Sequence, residues 1–335
     1  MRRVLLIGTG GTIASRSHLG GGLEPQMSCE EMLAFVPCVH DVAVVDTCDL
    51  LSIDSTNMQP AHWLAIARRI EDSYDDYDGF VVCHGTDTMS FTSSALSYLV
   101  QDSPKPIVLT GAQRPIDLDV TDARTNLTDA IRLAAHERAH DVSIVMGGNV
   151  ICGTRARKVR THSYNAFISI NHPYLATIQG ERVVFYLDDH PVDKSARPRF
   201  SHEMNGNVGL LKLTPPVSAE ILDVMCKTYD ALVIESFGVG GLPSYHNEPL
   251  GDILRRHMRS GTLVAMTTQV PLEGSDFSVY EVGRSVPRED ALLEARDMTL
   301  EACLTKLMWV LGQTRKVPQA RELFYEPHNR DTLWT

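Results

Sequence analysis

Short apolar runs alternate along the chain with segments in which apolar residues recur every three or four positions. The runs are typical of strands that are buried on both faces of a parallel sheet. They occupy residues 4–7, 42–45, 80–83, 107–109 and 142–146. The segments between them predict helices at about residues 28–35, 60–73, 91–99 and 122–137. This alternation indicates an α/β domain with a mainly parallel sheet.

The alternation lapses between residues 188 and 207, which we interpret as a linker. Beyond it the pattern resumes. Strands are predicted at residues 208–213, 231–236 and 263–266, and helices at about residues 219–227, 251–259 and 299–311. We therefore predict a larger N-terminal domain, residues 1–187, and a smaller C-terminal α/β domain, residues 208–335. A chain of 335 residues is long enough for two such domains.

Composition narrows the class of protein. Hydrophobic residues make up 43% and charged residues 22%, as in ordinary globular proteins. The net charge of -11 argues against a nucleic-acid partner, which requires a basic face. The 7 cysteines, none in C-x-x-C spacing, disfavour a disulfide framework or a zinc site. Because the apolar run at residues 4–7 is too short for an export signal or a membrane span, we expect a cytoplasmic protein.

Two glycine turns follow predicted strands. Residues 9–14 (TGGTIA) follow the first strand, and residues 84–89 (HGTDTM) follow the third. In each turn a threonine, Thr12 or Thr86, follows glycine, which lets the backbone turn sharply and approach a ligand closely. Ligands of parallel sheets bind beyond the carboxyl ends of the strands. We therefore predict that Thr12 and Thr86 face each other across one site.

Nucleotide and metal sites fit these residues poorly. Gly8 and Gly10 begin a G-x-G-x-x-G pattern, but Ile13 stands at its last position, and no P-loop pattern occurs. His84 and Asp87 are spaced as metal ligands can be, but no companion ligands are evident. We predict that the protein uses no metal and no organic cofactor.

The residues fit better with an enzyme in which a threonine hydroxyl acts as the nucleophile. A threonine is a weak nucleophile until a base takes its proton. Lys158 is the candidate base, since neighbouring cations and burial lower the pKa of a lysine. Asp87 would orient it in a Thr–Lys–Asp relay. The residues alone leave an alternative, in which Thr12 and Thr86 cap helices and Lys158 is solvated.

Together, the two turns resemble the paired signatures of bacterial-type L-asparaginases. The resemblance extends to residues 54–58 (DSTNM), 110–115 (TGAQRP), Lys158 and 237–241 (FGVGG). Without an export signal, the chain is most similar to the cytoplasmic type I branch. The resemblance implies the asparaginase fold of two α/β domains, no cofactor, and a homodimer or homotetramer with its sites where subunits meet.

The resemblance also implies a reaction. Thr12 would attack the side-chain amide carbon of L-asparagine and release ammonia, and water would then hydrolyse the β-aspartyl ester. Thr86, Asp87 and Lys158 would activate the nucleophile or the water. The substrate-binding residues implied by the resemblance are Asp54, Ser55, Thr56, Thr86, Asp87 and Ala112.

Two positions depart from the family pattern. Leu23 stands where a loop tyrosine is expected, and Gly241 stands where many relatives have asparagine. Two alternatives also stay open. One is a glutaminase-asparaginase of broader specificity, because the two amino acids differ by one methylene. The other is an amidotransferase subunit that supplies ammonia, although its added N-terminal domain and basic RNA-facing surface are not expected from this sequence.

Overall fold

A computed structural model describes residues 1–17, 23–25, 27–187, 193, 195–243, 250–278 and 290–334. The chain divides into two compact units, Met1–His202 and Glu203–Thr335. The predicted domain bounds and the linker at 188–207 stay a prediction, since residues 188–192 and 194 lie outside the described part. Within the described ranges, no helix is long and apolar enough to cross a membrane.

The first unit contains strands and helices in alternation. Its strands are β1 (Arg3–Gly10), β2 (Ser15–Ser17), β3 (Leu23–Pro25), β4 (Val44–Ile53), β5 (Gly79–Cys83), β6 (Val100–Gln101), β7 (Ile107–Thr110), β8 (Val142–Met146), β9 (Asn149–Cys152), β10 (Ala156–Lys158), β11 (Phe167–Ser169), β12 (Ala176–Gln179), β13 (Arg182–Phe185) and β14 (Arg199–Phe200). Its helices are α1 (Cys29–Leu33), α2 (Pro60–Asp72), α3 (Met89–Leu99) and α4 (Ala123–Ala134). Each predicted strand and helix of this unit overlaps an observed one, but the strand predicted at residues 42–45 is observed as β4, Val44–Ile53.

An eight-stranded sheet forms the centre of this unit, in the order β13-β12-β9-β8-β7-β5-β1-β4. The strands from β8 to β4 are parallel, whereas β9, β12 and β13 continue the sheet in antiparallel pairs. Every residue of β5, β7 and β8 is buried. Their apolar runs are continuous because both faces of these strands are covered.

Local chemistry sets some of the element boundaries. The spacing of Ser28 and Glu31 predicts a capping box, and it forms at the start of α1. Ser28 accepts a hydrogen bond from the Glu31 backbone N–H, and Glu31 accepts one from the Ser28 N–H. The polar, glycine-rich composition of residues 15–22 predicts a loop, but this is wrong for β2, which pairs antiparallel with β3. Residues 18–22 and the side chain at Leu23 lie outside what the structure describes.

The second unit is smaller and its described sheet is wholly parallel. Its strands are β15 (Val208–Lys212), β16 (Ala231–Ser236), β17 (Leu263–Thr268) and β18 (Leu292–Glu294), in that order. Its helices are α5 (Ala219–Thr228), α6 (Leu250–Arg259), α7 (Leu300–Gln313) and α8 (Val317–Tyr325). The predicted fold class, a larger mainly parallel domain followed by a smaller α/β domain, is confirmed.

Candidate active site

The two glycine turns meet backbone to backbone. They end β1 and β5, which are neighbours in the sheet. Gly11 has a φ of +80°, and a Cβ added to it would lie 2.3 Å from the Gly85 nitrogen and 2.4 Å from the Gly85 Cα. The Gly11 N–H also donates to the Ile53 carbonyl at the end of β4, at 3.0 Å. Glycine is required at Gly11 by both its conformation and its contact, and the contact brings the two turns together.

The two threonines differ in their surroundings. Thr12 opens a one-turn 3-10 helix whose N-cap is Gly11. Its side chain is half-buried and bonds to no residue in the described ranges. Thr86 is buried, and α3 begins beyond it with Thr88 as the N-cap. Neither threonine caps a helix, so the capping alternative is wrong.

Lys158 connects Thr86 to Asp87. Its Nζ lies 2.7 Å from Thr86 Oγ1 and 2.7 Å from Asp87 Oδ1. Lys158 is the last residue of β10, where pairing with Phe167 of β11 fixes its backbone. Its side chain is 18% exposed, and that of Asp87 is 57% exposed. The ammonium is therefore held by two charge-assisted contacts rather than solvated.

A loop after β7 completes the surroundings of Thr86. The Thr86 hydroxyl donates to Gln113 Oε1 at 3.1 Å. The Gln113 backbone N–H donates to the Asp122 carboxylate at 3.0 Å, and Asn126 Nδ2 donates to the Gly111 carbonyl at 3.0 Å. No role for Gln113, Asp122 or Asn126 was predicted from the sequence. Asp122 stands at the start of α4, but its carboxylate accepts from the loop N–H groups of Gln113 and Arg114 rather than from a backbone N–H of the helix, so no helix-start pattern signals these contacts.

Ala112, in the same loop, is 1% exposed and belongs to the hydrophobic core of the unit. Its predicted contact with substrate stays a prediction.

The segment after β4 lies partly against the second turn. Ser55 is buried, and its Oγ lies 2.6 Å from the position that a Cβ on Gly85 would take. Thr88 Oγ1 donates to the Ser55 carbonyl at 2.7 Å. Asp54 and Thr56 are exposed and bond to each other instead. The Thr56 backbone N–H, followed by its hydroxyl, lowers the pKa of the Asp54 carboxyl, so Asp54 is ionised at neutral pH.

His84 supports the second turn from within the core. Burial lowers its pKa to about 4, so the ring is neutral. Its Nδ1–H donates to the Gly85 carbonyl at 2.6 Å, and its Nε2 accepts from the Thr92 hydroxyl at 2.8 Å. Thr92 in turn accepts from Trp63 Nε1 at 2.9 Å. No group of three metal-ligating side chains occurs among the described residues.

The Thr86 hydroxyl and the Asp87 carboxylate, in the turn after a parallel strand, thus lie within hydrogen-bond reach of the Lys158 ammonium, beside the turn that bears Thr12. This arrangement is typical of enzymes that use an activated hydroxyl nucleophile. Comparison with known proteins places the chain more narrowly. Residues 3–190 match the family "Asparaginase, N-terminal", and residues 207–324 match the "Glutaminase/Asparaginase C-terminal domain".

Relatives and solved structures agree with these matches. An L-asparaginase of Thermococcus kodakarensis is 38% identical over 322 residues, covering 96% of both chains. The solved structure of the thermostable L-asparaginase from that organism has a TM-score of 0.92 and 36% identity, covering 99% of this chain and 100% of the other. L-asparaginase I from Vibrio cholerae O1 has a TM-score of 0.86 and 28% identity, covering 99% of each chain.

A second kind of relative spans a longer chain. A glutamyl-tRNA(Gln) amidotransferase subunit of Pyrococcus abyssi is 36% identical over 331 residues, covering 96% of this chain and 74% of its own length. The family matches and the identities show that this chain belongs to the asparaginase family of hydrolases.

Proposed function

We propose that this protein hydrolyses L-asparagine to L-aspartate and ammonia, with Thr12 as the nucleophile. One observation carries the proposal. The contact between Gly11 and Gly85 sets the turn of Thr12 directly against the turn that bears Thr86 and Asp87, and Lys158 bonds to both of those side chains. Membership of the asparaginase family supports the choice of substrate.

The reaction begins at the Thr12 hydroxyl, which no described side chain engages. Its oxygen bonds to the side-chain amide carbon of the substrate while its proton leaves for a base. Backbone N–H groups of the glycine turns stabilise the negative charge that develops on the amide oxygen. The C–N bond then breaks, the nitrogen takes a proton, and ammonia leaves a β-aspartyl ester on Thr12.

The second half of the reaction is hydrolysis of the β-aspartyl ester, and it uses the same acid–base groups as the first half. Lys158, Thr86 and Asp87 form a hydrogen-bonded relay that takes a proton from the attacking hydroxyl or water and returns it to the leaving group. Water attacks the ester carbon, the bond to Thr12 Oγ1 breaks, and L-aspartate departs. General acid–base groups of this kind contribute about 10²- to 10⁴-fold to the rate.

The residues at the exposed edge of the site bind the α-ammonium and α-carboxylate groups of the substrate. The Asp87 side chain bonds to Lys158 through Oδ1 and is 57% exposed, so Oδ2 can accept from the substrate α-ammonium. Ser55 and Thr56 are proposed to hold the α-carboxylate, with Asp54 and Ala112 completing the surroundings. Discrimination against glutamine rests on one methylene, worth roughly 1–3 kcal/mol.

The experiment is to incubate the purified protein with L-asparagine, L-glutamine and D-asparagine and to measure ammonia. We expect release from L-asparagine, at an undiminished rate after exhaustive chelator treatment. No release from any substrate would contradict the proposal. We also expect a cytoplasmic homodimer or homotetramer without nucleic-acid or membrane partners, which analytical ultracentrifugation and cell fractionation test.

A second candidate follows from the 36% identity to an amidotransferase subunit. A subunit of that kind would supply ammonia to a partner that acts on charged tRNA. The discriminating measurement is ammonia release by the chain alone. Turnover near the enzyme median of about 10 s⁻¹ favours the independent hydrolase, whereas turnover that rises steeply on adding a partner subunit and aminoacylated tRNA favours the amidotransferase.

A further inference from the structure

Gln113 is the one amide side chain that bonds to the Thr86 hydroxyl within the described structure. We infer that Gln113 is a positioning residue that fixes the direction of the Thr86 hydroxyl proton, and so keeps the Thr86 lone pairs turned towards Lys158. The inference deepens the proposed function and rests on it, because it concerns the relay of the same site.

The neighbours of Gln113 determine which way its amide faces. Gln113 Nε2 lies 3.4 Å from the Ser163 carbonyl oxygen, and Oε1 lies 3.1 Å from Thr86 Oγ1. A carbonyl oxygen only accepts hydrogen bonds, so the NH₂ group must face Ser163 and the amide oxygen must face Thr86. Because the amide oxygen also only accepts, the Thr86 hydroxyl must donate its single proton to Gln113.

This assignment sets the state of the relay at rest. With its proton on the side of Gln113, Thr86 presents lone pairs to Lys158 Nζ at 2.7 Å, and the ammonium donates to both Thr86 and Asp87. Without Gln113, the Thr86 hydroxyl is free to rotate its proton towards the Lys158 ammonium, which weakens the contact between Thr86 and Lys158. Gln113 therefore keeps the relay in the orientation in which Thr86 accepts from Lys158.

The backbone holds Gln113 in place for this role. Its N–H donates to both Asp122 oxygens, at 3.1 Å and 3.0 Å, and Asn126 Nδ2 donates to the same carboxylate at 3.1 Å. The side chain is half-buried. Because the amide is neutral, it orients the hydroxyl without adding charge next to the Lys158–Asp87 ion pair.

The test is steady-state kinetics of Gln113→Leu with L-asparagine. Loss of one neutral hydrogen bond predicts a fall in kcat of about 2- to 10-fold. KM should stay within about twofold, since the relay, not the α-groups of the substrate, is affected. Gln113→Asn has a shorter amide that cannot reach Thr86, so its kcat should fall by the same factor. This variant replaces Gln113→Leu if the leucine variant does not fold.

Gln319→Leu is the matched control. Gln319 Oε1 accepts from the Thr314 hydroxyl at 2.9 Å in the second unit, and its side chain is exposed. This variant should leave kcat unchanged. In a Thr86→Ser background, Gln113→Leu should cost more than in the parent, because serine lacks the methyl group that restricts the side-chain rotamer.

The kinetics of these variants distinguish failure of the inference from failure of the proposed function. Unchanged kcat in Gln113→Leu or Gln113→Asn, a raised KM with unchanged kcat, or an equal cost in the Thr86→Ser background would overturn the inference while leaving the proposed function intact. A parent protein that releases no ammonia would overturn the proposed function and, with it, this inference.

Discussion

The carboxyl edges of the two parallel sheets carry similar polar residues but use them differently. In the first unit, the side chains of the candidate site bond mainly to one another. Lys158 bonds to Thr86 and Asp87, Thr86 bonds to Gln113, and Thr12 bonds to no described side chain. Thr12, Thr86 and Lys158 are available for chemistry because their side chains donate to no backbone carbonyl among the described residues.

In the second unit, the polar side chains at the strand ends bond to backbone carbonyls. Ser236 Oγ donates to the Thr267 carbonyl at 2.7 Å, and Thr268 Oγ1 donates to the Gly238 carbonyl. Gln269 Nε2 donates to the Leu213 and Glu235 carbonyls, at 2.7 Å and 3.0 Å. These side chains therefore satisfy backbone carbonyls at this edge of the sheet. Thr9 and Thr110, at strand ends of the first unit, likewise donate to backbone carbonyls, so only a subset of the strand-end polar side chains in that unit is left available for chemistry.

Of the variants that test this contrast, Lys158→Met should lose the most activity. The change removes the ammonium that bonds to Thr86 and Asp87 while keeping an unbranched side chain. We expect kcat for L-asparagine to fall by about 10³-fold, within the range for a general acid–base group. Ammonia release measures the loss, and circular dichroism checks the fold. A fall of less than about tenfold would show that the relay is not needed.

Gly11→Ala tests whether the contact between the turns creates the site. A Cβ there would lie 2.3 Å from the Gly85 nitrogen, so the turns must separate. A displacement of about 1 Å costs about 10²-fold in rate, and we expect a fall in kcat of that size.

Gly180→Ala is the control for backbone strain. Gly180 also has a positive φ, of +61°, but a Cβ there meets nothing within 4 Å. It should keep parental kcat. Equal losses in the two variants would assign the effect to strain in general rather than to the contact.

His84, which supports the second turn, makes the unfolding free energy of the protein depend on pH. Its folded pKa is lowered to about 4, whereas an unfolded histidine titrates near pH 6.5. Between these values the unfolded chain binds a proton that the folded chain does not. Stability is therefore complete above about pH 6.5 and falls as the pH drops, by about 2 kcal/mol at pH 5.

Urea unfolding at pH 7 and pH 5 measures this loss. In His84→Gln, whose amide can bond to Gly85 and Thr92 without titrating, the loss between the two pH values should be smaller by about 2 kcal/mol. An identical loss in the parent and the variant would contradict the assignment.

Ser236→Ala should have the smallest effect, and on stability alone. It removes a hydroxyl that bonds to the Thr267 carbonyl in the core of the second unit. We expect about 1 kcal/mol less unfolding free energy and unchanged kcat. Urea unfolding and ammonia release measure the two quantities. A large loss of kcat without loss of stability would mean that this edge also takes part in the reaction.

Parallel strands that are buried on both faces, such as β5, β7, β8, β16 and β17, were predicted because their apolar runs are continuous. The partly exposed β4 was predicted only at its first two residues, and the three-residue β18 was not predicted. Predicted and observed bounds coincide for β8 and β16. The antiparallel strands β9, β12 and β13 were not predicted. Residues of β13 are alternately exposed and half-buried, so only their pairing with β12 identifies them. The pairing of β2 with β3 was also not predicted.

The candidate site was predictable where it depends on chain order and less so where it depends on loops. The glycine turns follow β1 and β5, and strand order makes them neighbours. The contact of Lys158 with Thr86 required the resemblance to a family. The contact of Gln113 with Thr86 depends on how Asp122 holds the loop after β7, which no periodicity encodes.

The assignment of Thr12 as the nucleophile is tested most directly by the rate at which Thr12→Ala releases ammonia from saturating L-asparagine. The variant should retain less than about one-thousandth of the parental kcat, since the bond-forming oxygen is gone. Its thermal unfolding should be unchanged, because the Thr12 side chain bonds to no described residue. Turnover within about tenfold of the parent would contradict the nucleophile role of Thr12 and leave Thr86 as the attacking group.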